Sequence, residues 1–454
     1  MSAVLDRPAA APAARPTPLI GCLGFELTKL LSQWRVRIVL LLCALVPAVF
    51  VTVVSNQSSL PSDTVFGRQM AATGWAGSLV VLAFSCSWGL PLLTALVAGD
   101  VFATEDRLGT WRHLLIAVRS ARNVFAAKAI ASAGVLLLML ALLCGSGIIG
   151  GLIGAGDHPL IGLDGHQLAH PAGTVLLAWL CVLAPTAAFG AVGLLGSVLF
   201  GRSPVGLALP ALLALALALA QLLPLPVAVR VALPSQALLG WRGLFTDPAH
   251  TAGLLTGIVV CLVWAVVATV AAYAVFRRRD FTDTAYDGSA HRTLLAAVLP
   301  LGALLLASVG VVALAGGGSG SGVDRAKVDA SLATSFAHLY RLQSHELHRP
   351  DVTERQLGVR ASCDKGGRQV ADHGPGNDWR CVVAWTVPGS TVVGHAIYQL
   401  DITPDGRYVA DGDGPKEVNG SFNVRTPTGD APNPLWQLDG LVDLLGTASK
   451  GING

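Results

Sequence analysis

Seven stretches of this chain run for about twenty residues with no Asp, Glu, Lys or Arg in their interiors, the length a helix needs to cross the hydrocarbon core of a bilayer. They lie at roughly 38–54, 74–98, 129–154, 173–200, 205–223, 251–276 and 293–315. With 53% hydrophobic and only 13% charged residues, the sequence excludes an ordinary soluble protein. A net charge of +3 offers no global attraction for nucleic acid, and no zinc-finger or RNA-binding signature is present. A membrane all-α fold is the class these runs imply.

The basic residues gather in alternate connecting segments. One set holds Arg7, Arg15, Lys29, Arg35 and Arg37, then Arg107, Arg112, Arg119, Arg122 and Lys128, then Arg202, and last Arg277, Arg278, Arg279 and Arg292. The other set, up to the seventh run, holds only Arg68, Arg230 and Arg242. Short loops rich in Lys and Arg stay on the cytoplasmic side, so the N-terminus reads as cytoplasmic and an odd number of crossings puts the C-terminus outside. Residues 1–18 are Ala- and Pro-rich and read as a disordered cytoplasmic tail. They are not a cleavable signal, because the first apolar run begins only after Arg37 and has no small-x-small site behind it.

Between the second and third runs, Gly99 to Lys128 forms the longest polar and basic interruption at the cytoplasmic surface. Phe102, Leu108, Trp111, Leu114 and Leu115 recur at near-helical spacing, predicting a short amphipathic helix. Glu105, Gly109-Thr110, Leu114-Leu115, Arg122 and Lys128 resemble the pattern found in permease subunits of ABC exporters of the type-two ABC membrane family. The chain departs from that pattern in reading Ala117-Val118-Arg119-Ser120-Ala121-Arg122, without the proline that often precedes the Ser-Arg pair. The resemblance implies a six-span type-two ABC permease-like bundle in which this segment is the coupling helix, with Glu105, Arg107, Gly109, Thr110, Arg112, Leu114 and Leu115 contacting an ABC ATPase subunit. Ahead of the first run, Leu23, Leu27, Leu30, Leu31 and Trp34 share a face with Glu26, Lys29 and Arg35 off it. This resembles the family's interfacial helix, with Glu26, Lys29 and Trp34 as a second contact. Pro224 to His250, apolar but broken by Pro224, Pro226 and Pro234, reads as short helices dipping into the outer leaflet and resembles the family's extracytoplasmic hairpin. The resemblance covers about residues 20–280, so the permease domain is placed at 19–280.

Beyond it the chain divides into a cytoplasmic linker and seventh span at 281–315, a Gly/Ser tether at 316–322, and an extracytoplasmic α+β domain at 323–454. In that domain Val328, Leu332, Phe336, Leu339 and Tyr340 stripe one helix. Trp379 to Val387 and Val392 to Ile402 alternate as strands, and Thr403-Pro404-Asp405-Gly406 turns the chain into a third. Leu435, Leu438, Leu441, Val442 and Leu445 predict a closing helix. Outside the membrane Cys363 and Cys381 should be joined, worth on the order of 3 kcal/mol. The other six cysteines read as small apolar residues.

No Walker A sequence occurs, and no Asp, Glu, Lys or Arg sits inside a span to bind a coupling ion. Asp157, His158, Asp164, His166 and His170 match no metal-ligand spacing and read as a solvated loop, and His338, His345 and His348 as surface residues. A bundle without motor or coupling charge borrows its force. The leading expectation is a non-enzymatic membrane subunit of an exporter in a bacterial cell membrane, pairing as a homodimer or heterodimer. ATP and Mg would be held by the partner ATPase, and the substrate would be hydrophobic or amphipathic. The alternative is a membrane-anchored sensor or assembly protein displaying an extracytoplasmic ligand-binding domain; copurification of a Walker-A-bearing subunit separates the two.

Overall fold

A computed structural model describes residues 17–57, 60–61, 64–168, 170–201, 204–221, 223, 225–279, 301–310, 312–313, 322–427 and 429–445. The tail before residue 17, the linker after 279, the first part of the seventh run and the tether up to 321 lie outside the described residues.

The chain opens with α1 (Leu19–Ser32) and α2 (Trp34–Ser55). α3 (Gly74–Phe84) continues through one π-helical turn, Ser85–Gly89, into α4 (Leu90–Val97). Pro91 has no amide to give the carbonyl four residues back, at Ser87, so the ladder loosens inside that turn. Two short helices, α5 (Ala103–Leu108) and α6 (Trp111–Val118), precede the long α7 (Ala121–Ala155). A β-hairpin of β1 (Leu160–Ile161) and β2 (Gln167–Leu168) leads to α8 (Pro171–Cys181) and α9 (Leu183–Phe200). Pro185, which leaves the Cys181 carbonyl without a helical partner, accounts for that break. α10 (Pro204–Gln221), the short α11 (Val227–Ala232) and α12 (Pro234–Ala237), α13 (Ala252–Arg278) and α14 (Leu301–Gly310) complete the bundle. Among the described residues five helical stretches are long and apolar enough to cross a membrane: Trp34–Ser55, Gly74–Val97, Ala121–Ala155, Pro171–Phe200 and Ala252–Arg278. Gly206–Ala220 and Leu301–Gly310 are shorter apolar helices.

Glycines set how closely the helices approach. A Cβ on Gly151 would lie on the Gly74 backbone, and one on Gly150 on the backbone of Ala48. Leu41, Leu45 and Val49 of α2 and Leu255, Leu262 and Val266 of α13 are exposed and apolar, as a lipid-facing surface must be.

The C-terminal part folds as α15 (Arg325–Glu346) and α16 (Glu354–Leu357) followed by an antiparallel sheet. Its strands are β3 (Arg360–Lys365), β4 (Gly376–Thr386), β5 (Val393–Ile402), β6 (Arg407–Gly412) and β9 (Gln437–Leu441), in the order β3-β4-β5-β6-β9. α17 (Lys416–Asn419) and a separate ribbon of β7 (Asn423–Thr426) and β8 (Gly429–Pro432) fill the β6–β9 connection. One sheet face packs Trp379, Tyr398 and Tyr408 against Leu332 and Phe336 of α15. Cys363 and Cys381, directly opposite in the β3–β4 register, form a disulfide. The closing helix expected near Leu435 is instead the edge strand β9, paired with β6. Its leucines fall three or four apart by coincidence, and Gly440 is there because a Cβ would meet the Tyr408 ring.

The two ends of the bundle differ. α5 and α6 cap one end, where α9 finishes and α13 ends in Arg277, Arg278 and Arg279. The C-terminal fold sits at the opposite end. Asp405 pairs with Arg242, the Pro404 carbonyl accepts from Arg230, and Asp439 lies 3.8 Å from Arg68. His338 of α15 meets the β1–β2 hairpin, its Nδ1 3.1 Å from the Asp164 carbonyl. Asp164 also accepts from His166 and, at 2.6 Å, from the amide of Asp247. Asp164 and His166 therefore belong to a buried polar junction rather than the solvated loop expected of them, whereas Asp157, His158 and His170 are exposed; His338, expected at the surface, is only 7% exposed.

Candidate functional site

The segment from Gly99 to Lys128 folds as a compact polar hub with an exposed rim. Its two short helices follow from local chemistry. Phe102 and Ala103 donate their amides to Ser197 Oγ at 3.0 Å each, satisfying the start of α5. α5 stops at Gly109, which takes the left-handed conformation that favours glycine (φ 66°). Thr110 turns its hydroxyl back onto the Glu105 carboxylate. α6 ends at Arg119, and Ser120 Oγ accepts the Asn123 amide at 3.2 Å to start α7.

Three buried carboxylates organise the interior, each drawing cations from other elements. Lys128 Nζ of α7 reaches Glu105 at 2.7 Å and Glu26 of α1 at 3.0 Å, and Lys29 pairs with the same Glu105. Burial alone would raise the Glu105 carboxyl, but the Lys128 charge and hydrogen bonds from Lys128, Lys29 and Thr110 outweigh it and hold it at about 2. Asp100 collects Arg35 at the start of α2 and Arg107 of α5. Asp106 accepts the Trp111 indole N–H at 2.8 Å and pairs with Arg279 at the end of α13. Beneath them Phe102 stacks on Trp111 at 6.1 Å and on Phe125 at 5.3 Å, with Phe276 of α13 at 5.5 Å. A push on α5 or α6 thus reaches α1, α2, α7 and α13 through paired charges and packed rings.

The rim faces outward. Arg107, Gly109, Arg112, His113 and Arg119 are exposed, together with Leu108 and Ile116 at 65% and 62%. Leu114 and Leu115 are half-buried, and Thr110 partly so. Two apolar side chains ringed by arginines make a surface suited to a protein partner.

Residues 22–200 match the family model described as ABC-2 family transporter protein. Over these residues the chain is similar to type-two ABC permeases. The matched stretch runs from α1 through the hub to the end of α9 and stops short of residue 280, so α10 to α14 and the C-terminal fold lie outside it. No curated protein and no solved structure matches the chain.

Within the matched segment the structure divides the predicted contact residues into two groups. Arg107, Gly109 and Arg112 lie on the rim, whereas Glu105 is 1% exposed and braces the hub from inside. On α1 the buried face is Cys22, Glu26 and Leu30, so Glu26 points inward to Lys128 and Lys29 bridges to Glu105, whereas Trp34, expected on the same helix, opens α2 beyond the break at Gln33 and is 74% exposed. The predicted stripe is likewise split, with Phe102 and Trp111 buried and Leu108 outside. Sequence reasoning passed over Asp100, Asp106 and Arg279 as hub members and Leu108 and Ile116 as the exposed apolar pair. Spacing held part of the signal, since Glu26 falls four residues from both Cys22 and Leu30. Among the described residues no group of three or more His, Cys, Asp and Glu side chains is placed to hold a metal.

Proposed function

We propose that the chain is the membrane subunit of an ATP-driven exporter, and that an ABC ATPase docks on the rim formed by Arg107, Leu108, Gly109, Arg112 and Ile116. The observation that carries this reading is the arrangement just described. An exposed basic and apolar rim sits on a buried ion hub that ties both short helices to four longer ones. Closure of the ATPase on ATP and Mg would press on the rim, and the hub would pass the displacement into α1, α2, α7 and α13.

In this reading all seven apolar runs cross the membrane, the hub is cytoplasmic and the C-terminal fold is outside. Its disulfide, and contacts confined to the bundle end opposite the hub, support that placement. Two permeases, identical or different, pair in the membrane. The substrate is hydrophobic or amphipathic, because the spans offer few polar groups beyond Ser85, Ser87, Thr94 and Gln221 to bind a hydrophilic one. It leaves from the cytoplasm or the inner leaflet.

A photo-crosslinking residue at Leu108 or Ile116 of the full chain, irradiated in native membranes, should capture a protein carrying a Walker A sequence. Capture of a kinase or regulator instead would replace transport by sensing.

A further inference from the structure

We propose that a groove between α7, α9 and α13 holds one acyl chain of an anionic phospholipid, whose phosphate is bound by Arg122 and Arg277. The groove has a volume of about 550 Å³, within the range of small-molecule pockets. Its wall on α7 runs from Ala129 to Leu140, on α9 from Leu183 to Leu194, and on α13 from Ile258 to Thr269. Each is about 16 Å long at the rise of an α-helix, close to the ~15 Å depth of one leaflet of hydrocarbon. The wall is mostly apolar: of its three hydroxyls, those of Ser132 and Thr186 are spent on Ala129 and Val182 carbonyls of their own helices, at 2.9 and 2.7 Å, and Thr269 lies at the hub end.

Charge at one mouth identifies the occupant. Ala129 follows Lys128 of the hub directly, so the groove begins at the hub end. There Phe125 of α7 meets Tyr273 of α13 at 5.1 Å and closes the apolar part. α7 and α13 run in opposite directions, so Arg122, one turn before Phe125, and Arg277, one turn after Tyr273, both lie just beyond that closure. Both are exposed, and the Arg277 guanidinium sits 5.9 Å over the Tyr273 ring. A tail in the groove would bring its phosphate to these cations at headgroup depth, where each added arginine strengthens binding to anionic lipid. The lipid would bear on α7 and α13, the two helices that supply Lys128 and Arg279 to the hub. The site stands whether or not the chain transports.

The test is native mass spectrometry of the full-length chain in mild detergent, loaded with equal amounts of phosphatidylglycerol and phosphatidylcholine of the same acyl chains. The wild type should retain one phosphatidylglycerol in preference to phosphatidylcholine, on the order of tenfold. Arg122→Gln with Arg277→Gln, both at exposed positions, should abolish that preference while leaving retention of phosphatidylcholine. Ala187→Phe, which fills the groove from α9, should lose both lipids. Undiminished phosphatidylglycerol retention in both variants would overturn the proposal in favour of ordinary annular lipid. So would a wild-type dimer, free of bound lipid, that Ala187→Phe converts to monomer, since a second copy would then occupy the groove. Circular dichroism and a single chromatographic peak exclude unfolding as the cause.

Discussion

Lys128 is the residue on which the hub turns, because it is 1% exposed and its ammonium bridges two carboxylates from different helices. Lys128→Met leaves Glu26 and Glu105 buried without it and should cost about 3–5 kcal/mol, read as a fall in the midpoint of thermal unfolding in detergent. Arg112→Glu, on the exposed rim, should leave that midpoint within about 0.5 kcal/mol of wild type. Titration adds a second check. Glu105 is held at about 2, below its ordinary 4.5, so its contribution to stability is complete above pH 4.5 and is lost as pH falls toward 2. At the far junction burial would lower His338, but hydrogen bonds and charges from Asp164 and Glu354 raise it from 6.5 to about 10. Its contribution is complete below pH 6.5 and is lost as pH rises through 10. Hydrogen-exchange protection across α15 and the β1–β2 hairpin, measured against the intrinsic rate at each pH, should therefore fall between those values, and His338→Gln should remove that fall. The sequence singled out Glu105, Lys128, Glu26 and Lys29 but not which of them pair, because a charge beside an apolar run looks the same whether it faces water or a partner from a distant element.

The long helices were legible from length and hydropathy alone, whereas the one short amphipathic helix expected in the hub is two, α5 and α6, broken at Gly109. What the pattern did not reveal was which side of each short helix is covered, because α5 and α6 rest on helices far away in the chain. Phe102 and Trp111 pack inward on Phe276, and Leu108 is left outside. β9 was misread for a related reason: five residues of edge strand are too few for alternation to outweigh leucines spaced three and four apart. Helix contact makes a further prediction. Gly151→Ala places a methyl on the backbone of Gly74 and should cost about 1–3 kcal/mol by overpacking. Gly253→Ala, where the space is open, should be close to neutral in the same unfolding assay.

At the scale of the molecule, the bundle separates two polar assemblies, the ion hub at one end and the C-terminal fold with its latch of Arg230, Arg242, Asp164 and His338 at the other. α13 joins them, following Arg242 closely in the chain at one end and delivering Arg279 to Asp106 at the other. Movement started at the rim has a continuous solid path to the far side. The decisive measurement is MgATP hydrolysis by the assembly purified through a tag on the full-length chain from its native membrane. The account predicts that hydrolysis copurifies with the chain and falls at least tenfold in Arg112→Glu and in Leu108→Asp, with both variants folded. Purified chain that carries no hydrolytic activity, or activity indifferent to both substitutions, would contradict it.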